Sequence, residues 1–467
     1  MKAAGATTIL DAINDKQLFA PWFRDHETWA AWFAFIATLF ALDMTDEQYA
    51  VYQRCTGRNE PPSMPASEAW LVCGRRSGKS FILAMIAVYL ACFREYRQFL
   101  SPGERATIMI IASDRRQARV IFRYVRAFLT MIPMLKRMVV RETQSGFDLT
   151  NGVTIEISSA SFKSVRGYTL VAVLADEIAF WPTDDAADPD YAILNAVRPG
   201  MATIPNSMLL CASSPYARRG ALWAAHRRHF GKDGPILVWQ ADTRTMNPTI
   251  SQNLINEAIE ADPASAAAEY GAQFRSDVEG FVSREIIEAC VDVGTHERSP
   301  DRFLSYSAFV DPSGGSADSM TLAIGHREAD IAVLDALREV KPPFSPELVV
   351  VEFCRLLKQY GLKTVVGDRY GAEWTAEQFR KCGIQYAASD RTKSEIYRDL
   401  LPALNSHKLL LLDNSRFITQ LAGLERRTAR GGKDSIDHSP GTHDDLANAA
   451  AGVLTEIVRA RTYCGVW

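Results

Sequence analysis

The segment Trp70–Cys92 constrains the possible folds of this 467-residue chain more than any other stretch. It begins with a short apolar run, passes through a polar turn that contains glycine, and ends in a long apolar stretch with helical spacing. A buried strand, a turn and a helix in this order form one unit of a parallel α/β sheet. The turn ends in Gly78-Lys79-Ser80, which are the last three residues of a P-loop. The sequence therefore predicts a nucleotide-binding unit here.

The residue types in this turn suit the chemistry of a bound triphosphate. Gly78 lets backbone N–H groups close on the phosphates, and the N-terminus of the following helix adds its dipole. Lys79 is predicted to reach the β- and γ-phosphates, and the Ser80 hydroxyl is predicted to ligate Mg²⁺. The predicted nucleotide-binding residues of the turn are Gly74, Arg76, Ser77, Gly78, Lys79 and Ser80.

The turn also departs from the usual P-loop pattern. The glycine expected five residues before Gly78 is replaced by Cys73, and glycine follows one place later at Gly74. Two arginines, Arg75 and Arg76, lie inside the loop. They either contact the γ-phosphate or are solvated loop charges.

Further stretches supply residues that we expect at the same site. The apolar strand that begins at Leu170 ends in Asp176-Glu177, a Walker B pattern in which Asp176 holds the Mg²⁺ shell and Glu177 polarises the attacking water. Ser213 closes another apolar strand, where it either senses the γ-phosphate or belongs to an ordinary turn. Upstream, Gln48 or Gln53 either reads an adenine edge or is solvated on a polar helix face.

The second half of the chain places aspartates at the ends of predicted elements. Asp311 ends a strand, Asp368 follows another strand, and Asp444 and Asp445 precede a helix of small residues. One such aspartate is more often a cap or turn residue, but several that converge form an oxygen site for Mg²⁺ or Mn²⁺. Two such ions stabilise both the attacking and the leaving oxygens of phosphodiester cleavage. We therefore predict a metal-dependent nuclease site.

Basic residues follow the second of these acids and would suit a polyanionic substrate. This basic strip after Asp368 consists of Arg391, Lys393, Arg398, Lys408, Arg416, Arg426, Arg427, Arg430 and Lys433.

A second basic surface is predicted on a helix with arginines at positions 115, 116, 119, 123 and 126. This surface is either a solvated face or one that tracks phosphates or faces a neighbouring subunit.

Composition narrows the class of protein. The length favours two or three domains, and 47% hydrophobic residues, 23% charged residues and a net charge of −3 are typical of a soluble globular protein rather than a uniformly basic coat. Eight scattered cysteines without a C-x-x-C pair indicate reduced thiols in a cytoplasm and no zinc ribbon. We see no signal peptide, and the most apolar windows, Trp29–Leu42 and Phe81–Phe93, are too short to cross a bilayer.

Taken in order, these motifs resemble those of the large terminase subunit of tailed bacteriophages, a DNA-packaging motor and nuclease. The resemblance covers nearly the whole chain and implies an α/β protein. Its domains would be a P-loop (ASCE-type) ATPase at 1–240, a lid or linker subdomain at 241–300 and an RNase H/resolvase-like nuclease at 301–467. The motifs that carry the resemblance are Gly74-Arg75-Arg76-Ser77-Gly78-Lys79-Ser80, Leu174-Ala175-Asp176-Glu177, Ser213-Ser214-Pro215, Asp311, Asp368 and His443-Asp444-Asp445.

The resemblance also implies roles and partners. Glu177 is then the catalytic base, Arg75 is similar to an arginine finger acting in cis, and Arg166 is similar to one acting in trans. Of the two neighbouring aspartates we favour Asp445 as the metal ligand, because it directly precedes the helix; Asp444 remains the other candidate. The implied cofactors are ATP with Mg²⁺, and Mg²⁺ or Mn²⁺ at the nuclease site, where the general mechanism uses two ions.

The implied partners are double-stranded DNA, the portal of an empty procapsid and a small terminase subunit. The chain would assemble as a ring, usually a pentamer, on the portal, and could be a monomer before assembly. The implied location is the cytoplasm of a bacterial host, with transient docking on the procapsid and no membrane contact.

Two other functions fit parts of the pattern. The chain could be a DNA-stimulated helicase or remodelling ATPase whose C-terminal half only binds nucleic acid, although we find no further strand-contacting motif between Ser214 and Asp311. It could also carry a non-catalytic RNase H-like scaffold, against which the coincident acids argue.

Overall fold

The computed structural model describes residues 7–160, 165–181, 189–316, 318–368, 372–428, 434–439 and 442–459. The described residues form two compact units that divide between Ser276 and Asp277. Residues up to Phe274 form the apolar cores of the first unit, and residues from Phe281 form those of the second. The predicted lid or linker at 241–300 is therefore divided between the two units. Its first part packs against the P-loop, and its last part joins the second unit.

The first unit is built on an eight-stranded sheet. The strands are β1 (Glu68–Cys73), β2 (Ala106–Ala112), β3 (Val139–Glu142), β4 (Gly146–Leu149), β5 (Val153–Ser159), β6 (Thr169–Asp176), β7 (Met208–Ser213) and β8 (Ile236–Ala241). Their order is β3-β4-β5-β2-β6-β7-β1-β8, and only the β3–β4 and β4–β5 pairs are antiparallel. The parallel strands are apolar along most of their length because helices cover both faces of the sheet.

Eleven described helices belong to this unit. They are α1 (Ile9–Asn14), α2 (Ala30–Leu39), α3 (Asp46–Thr56), α4 (Lys79–Phe93), α5 (Arg115–Met131), α6 (Pro133–Lys136), α7 (Pro189–Met201), α8 (Gly220–His229), α9 (Thr243–Met246), α10 (Gln252–Ala261) and α11 (Pro263–Glu269), with short 3₁₀ helices at Ala20–Trp22, His26–Trp29, Arg97–Phe99 and Ile178–Phe180. Apolar residues of α2, α4 and α5 form one core cluster, and those of α7 and α8 form another.

The second unit contains a seven-stranded sheet and a smaller three-stranded sheet. Its strands are β9 (Val278–Gly280), β10 (Val291–Asp292), β11 (Tyr306–Asp311), β12 (Met320–Glu328), β13 (Ile331–Val340), β14 (Thr364–Gly367), β15 (Gln385–Ala388), β16 (Leu409–Leu412), β17 (Leu424–Thr428) and β18 (Asp434–His438). The large sheet has the order β10-β16-β13-β12-β11-β14-β15, and the small sheet has the order β18-β17-β9.

Within the large sheet, β12 runs antiparallel to both of its neighbours, whereas β11, β14 and β15 are parallel. The helices of this unit are α12 (Arg284–Glu288), α13 (Pro346–Gln359), α14 (Ala372–Lys381), α15 (Lys393–Asn405), α16 (Ser415–Ala422) and α17 (Asp445–Arg459). The predicted α/β fold class is confirmed.

Candidate nucleotide and metal sites

The carboxyl ends of three parallel strands form the first candidate site. Strand β7 lies between β1 and β6, so the residues that follow these strands leave the same edge of the sheet. The Ser80 hydroxyl donates to Asp176 Oδ2 at 2.8 Å, and the Ser213 hydroxyl donates to Glu177 Oε2 at 3.0 Å. Lys79 Nζ lies 3.5 Å from Glu177 Oε1. The structure thus brings together the predicted P-loop, Walker B and Ser213 residues.

Two buried polar atoms at this site have no hydrogen-bond partner among the described residues. They are the Ser77 hydroxyl oxygen and Asp176 Oδ1. Lys79 is also buried, and its ammonium donates to the carbonyls of Cys73 and Gly74, both at 3.2 Å. Buried polar groups without partners are costly in a folded protein. The site therefore fits a ligand that supplies phosphate oxygens to Lys79 and a cation to Asp176.

The Walker B pair, Asp176 and Glu177, has an unusual pKa at one residue and an unusual backbone conformation at the other. Burial, followed by the neighbouring charge of Glu177, raises the pKa of Asp176 to about 7, whereas Lys79 and Ser80 act in the opposite direction. A bound cation would relieve the same desolvation. Glu177 has a φ of 51°, in the left-handed region that residues other than glycine rarely adopt. Backbone strain of this kind is often found at functional sites.

Two tryptophans from the N-terminal part of the chain contact the P-loop, and the sequence analysis did not assign them to the site. Trp32 Nε1 donates to the Ser77 carbonyl at 2.8 Å. Gly78 has a φ of 101°, and a Cβ there would lie 3.3 Å from Trp32 Nε1 and 3.4 Å from the ring of Trp29. Glycine is thus required at position 78 by both the backbone conformation and the available space.

Residues after β8 contact the outer part of the same loop. The Thr243 hydroxyl donates to the Arg75 carbonyl at 2.8 Å, and Asn247 Nδ2 donates to the Arg76 carbonyl at 2.9 Å. The Arg75 side chain lies 3.1 Å from the Glu269 carboxylate, although 65% of this side chain is exposed. We call Thr243, Asn247 and Glu269 the lid clamp. Its residues come from the segment that the sequence predicted to be a lid.

Two other predicted residues have different surroundings. Gln48 Oε1 accepts from the Thr45 backbone N–H at 3.1 Å, and the Thr45 hydroxyl accepts from the Gln48 N–H in a capping box at the start of α3. Gln48 therefore has a structural role, and its contact with adenine stays a prediction. Arg166 is exposed before β6, as a residue that acts on a neighbouring subunit has to be. Its role in trans also stays a prediction.

The second candidate site begins at the paired ends of β11 and β14. Val310 lies opposite Gly367 in parallel register, so Asp311 and Asp368 leave the sheet at the same edge. Asn448, on the first turn of α17, donates to Asp311 Oδ2 at 2.8 Å. Burial raises the pKa of Asp311 to about 8, with smaller contributions in the same direction from the charges of Asp445, Asp368 and Asp444 and an opposing one from the Asn448 hydrogen bond. The four carboxylates therefore lie in one electrostatic environment.

Asp445 is held at the start of α17 by the loop and strand around β12. The Ser319 N–H donates to Asp445 Oδ2 at 3.2 Å, and the Thr321 hydroxyl donates to the Asp445 carbonyl at 2.7 Å. Ligand atoms of Asp318, His443 and Asp445 lie within 4.8 Å of one another, a spacing that could hold a metal ion. Asn448 Oδ1 nearby is buried without a described partner. These oxygen-rich surroundings fit Mg²⁺ or Mn²⁺.

The neighbouring Asp444 is engaged differently. Its two oxygens both lie 3.0 Å from Lys393 Nζ, and the buried Tyr397 hydroxyl donates to Oδ2 at 2.8 Å. Only 6% of its side chain is exposed. The two adjacent aspartates thus have distinct partners, a distinction that their sequence does not reveal.

Most of the predicted basic strip is neutralised within the protein. Six members form ion pairs with acids, so they do not present a continuous unpaired positive surface. These six are Arg391, Lys393, Lys408, Arg416, Arg426 and Arg427. Arg398 is exposed, and Arg430 and Lys433 lie outside the described residues. On the basic helix, Arg119 and Arg123 are exposed, and Arg126 lies 3.2 Å from Glu142.

The fold and the two candidate sites define a class of protein: an α/β unit that carries a P-loop, followed by a second α/β unit with clustered carboxylates. Residues 71–188 match the family model described as "Terminase large subunit, T4likevirus-type, N-terminal". Over these residues, the match confirms the resemblance to large terminase subunits that the sequence motifs predicted. No curated protein sequence matches the chain.

Several solved structures are similar to this chain at low identity. The HK97 bacteriophage large terminase is 15% identical, with a TM-score of 0.38, and the match covers 88% of this chain and all of that one. The large terminase nuclease from thermophilic phage G20c is 13% identical, with a TM-score of 0.33, over 37% of this chain and 95% of its own. The ATPase domain of the Thermus phage P74-26 large terminase is 18% identical, with a TM-score of 0.35, over 51% and 97%.

Among the described helices, none combines the length and the apolar character that crossing a bilayer would need.

Proposed function

We propose that this chain is a DNA-packaging motor that hydrolyses ATP to move double-stranded DNA into a procapsid and cuts concatemeric DNA with a metal-dependent endonuclease. The observation that carries the proposal is the presence of two separately built sites in one chain. One joins the P-loop to the Asp176-Glu177 pair, and the other joins Asp311 to the start of α17. The family match over residues 71–188 supports the first half of the proposal.

In the ATPase site, each residue has a task that its position allows. Lys79 would leave the carbonyls of its own loop to contact the β- and γ-phosphates, and Ser80 with Asp176 would hold Mg²⁺, which neutralises phosphate charge. Glu177 would orient and deprotonate the attacking water. Ser213 contacts the Glu177 carboxylate and would transmit changes at the γ-phosphate to β7. Arg75 would stabilise the transition state in cis, which requires its release from Glu269.

In the nuclease site, Asp311, Asp368 and Asp445 would hold Mg²⁺ or Mn²⁺. Bound ions would activate water and stabilise the leaving oxygen of the scissile phosphodiester. Asn448 orients Asp311 through its 2.8 Å hydrogen bond. The described residues proposed for this site are metal-binding or positioning residues, none of them assigned to base edges, so we expect cleavage with little sequence selectivity.

The proposed packaging function also implies a substrate, partners and a location. The substrate is double-stranded DNA, the docking partner is a procapsid portal, and a small terminase subunit selects the DNA. A ring, usually of five subunits, would place the exposed Arg166 of one subunit near the ATP of the next. The setting would be the cytoplasm of a bacterial host.

The test is cleavage of supercoiled plasmid by the purified protein with Mg²⁺ or Mn²⁺, measured beside ATP turnover. We expect wild type and Lys79→Ala to cut, Asp368→Ala not to cut, and only Lys79→Ala to lose ATP turnover. The two variants are matched controls, because each removes one site and leaves the other. ATP turnover without cleavage under either metal would instead favour the helicase-like alternative.

A further inference from the structure

A lysine fills another acid cluster in the second unit. Asp437, His438 and Asp444 bring ligand atoms within 4.8 Å of one another, a spacing that could otherwise hold a metal ion. Lys393 Nζ lies 2.8 Å from Asp437 and 3.0 Å from Asp444. Its ammonium group thus takes the place between the two carboxylates that a cation would need.

The lone pairs of Asp444 are directed towards this lysine and a tyrosine. Lys393 reaches both carboxylate oxygens, and Tyr397 donates to one of them. Asp445 instead accepts from the Ser319 N–H and shares a possible metal position with exposed residues. Two adjacent carboxylates therefore have two different kinds of partner, one a fixed internal cation and the other open to an ion.

We infer that Lys393 is a positioning residue of the nuclease and that Asp444 is its anchor rather than a metal ligand. The inference rests on the proposed nuclease function and deepens it. Lys393 supplies a fixed positive charge that offsets the buried carboxylate of Asp444. Because Asp444 directly precedes Asp445, this contact sets where the Asp445 side chain begins.

The same end of α15 also holds strand β18. The Ser394 hydroxyl donates to the Ile436 carbonyl at 3.0 Å and accepts from the Ile436 N–H at 3.1 Å. Lys393 pairs with Asp437, the next residue of β18. A displacement of β18 would therefore be transmitted through Lys393 to Asp444 and the metal-binding loop.

The first test is a double-mutant cycle in the full chain. Lys393→Met leaves a buried carboxylate without its cation, so we expect plasmid cleavage to fall at least tenfold and the thermal midpoint to fall. Lys393→Met with Asp444→Asn removes the unpaired charge, so we expect both quantities to recover most of the loss. Lys393→Arg, which keeps the charge, should retain more cleavage than Lys393→Met. Lys381→Met, which breaks an exposed Lys381–Glu377 pair in the same unit, is the matched control and should change neither quantity.

The second test is the rise in thermal midpoint caused by Mn²⁺, which does not depend on cleavage. We expect this rise to persist in Asp444→Asn and to be lost in Asp445→Asn. Loss of the rise in Asp444→Asn, or a double variant no better than Lys393→Met, would overturn the inference. If wild type binds Mn²⁺ but cleaves no DNA, the proposed nuclease fails, and the Mn²⁺ and stability arms still decide the roles of Lys393 and Asp444.

Discussion

Single buried polar atoms fit the ligands that we propose for these sites. Asp176 Oδ1 and Asn448 Oδ1 are both buried without a described partner, one in each unit. Asp176 Oδ1 belongs to a carboxyl group whose pKa is raised by burial, and Asn448 Oδ1 lies beside a second such group, that of Asp311. Without a cation, each site therefore buries polar groups that have no partner, which lowers the free energy of unfolding. Binding of a cation would stabilise the fold.

One glycine is essential for the packing that supports the nuclease site. A Cβ at Gly452 would lie 2.3 Å from Cγ of Phe309, the buried residue two places before Asp311. We expect Gly452→Ala to lower the free energy of unfolding by about 1–3 kcal/mol through overpacking, and to reduce cleavage because β11 shifts. Chemical denaturation measures the first effect, and the plasmid assay measures the second.

Gly280→Ala is the control for that substitution, since nothing lies within 4 Å of a Cβ there and its φ is not positive. It should change stability far less. Equal losses in the two variants would contradict the proposed steric cause.

At the scale of elements, the segment after β8 is the least expected part of the ATPase site. The short helix α9 places Thr243 and Asn247 against the carbonyls of Arg75 and Arg76. Gly74 permits this approach, because a Cβ there would lie 2.3 Å from the Thr243 hydroxyl oxygen. The lid clamp and the P-loop therefore form one connected layer, so that movement in either of them changes the other.

Removal of one hydroxyl tests this connection. Thr243 is fully buried, so Thr243→Val leaves the Arg75 carbonyl without its partner. We expect ATP binding to weaken about tenfold, the equivalent of ~1.4 kcal/mol for a lost buried hydrogen bond. Titration with a fluorescent ATP analogue measures the effect.

Thr130→Val provides the matched control, because the exposed Thr130 hydroxyl bonds only within its own helix. Its ATP affinity should equal that of wild type. Unchanged affinity in Thr243→Val would show that the lid clamp does not support the P-loop.

At the scale of the whole molecule, each unit has its own apolar cores and its own site. The cores of the first unit include Trp32, Phe128 and Trp239, and those of the second include Phe309 and Phe353. A unit with a complete core of its own is expected to fold as a unit.

We therefore expect a chain divided between Ser276 and Asp277 to yield two folded fragments. The fragment 1–276 should retain ATP turnover that depends on Lys79, and the fragment 277–467 should retain cleavage that depends on Asp368. Circular dichroism melting and the two activity assays measure this. An unfolded second fragment would show that its core requires the first unit.

Much of the fold could be predicted because the signals are local. The strands that end at Asp176, at Asp311 and just before Asp368 lie where the sequence predicts them, since continuous apolar runs between turn residues mark buried strands. The ends of these strands also placed Asp176, Asp311 and Asp368 as site candidates. The boundary near residue 276 was harder to predict from the sequence, because packing against the P-loop, rather than composition, decides to which unit α9–α11 belong.

The sequence by itself determined the element types, their order and the chemistry available at the strand ends, because these depend on short-range periodicity and residue type. Only the tertiary structure decided which partners those residues have. It joined Lys393 to Asp444, 51 residues apart, and Thr243 to Arg75, 168 residues apart. It also gave Asp444 and Asp445 different surroundings, because side chains on successive residues point in different directions and meet different neighbours once the chain is packed.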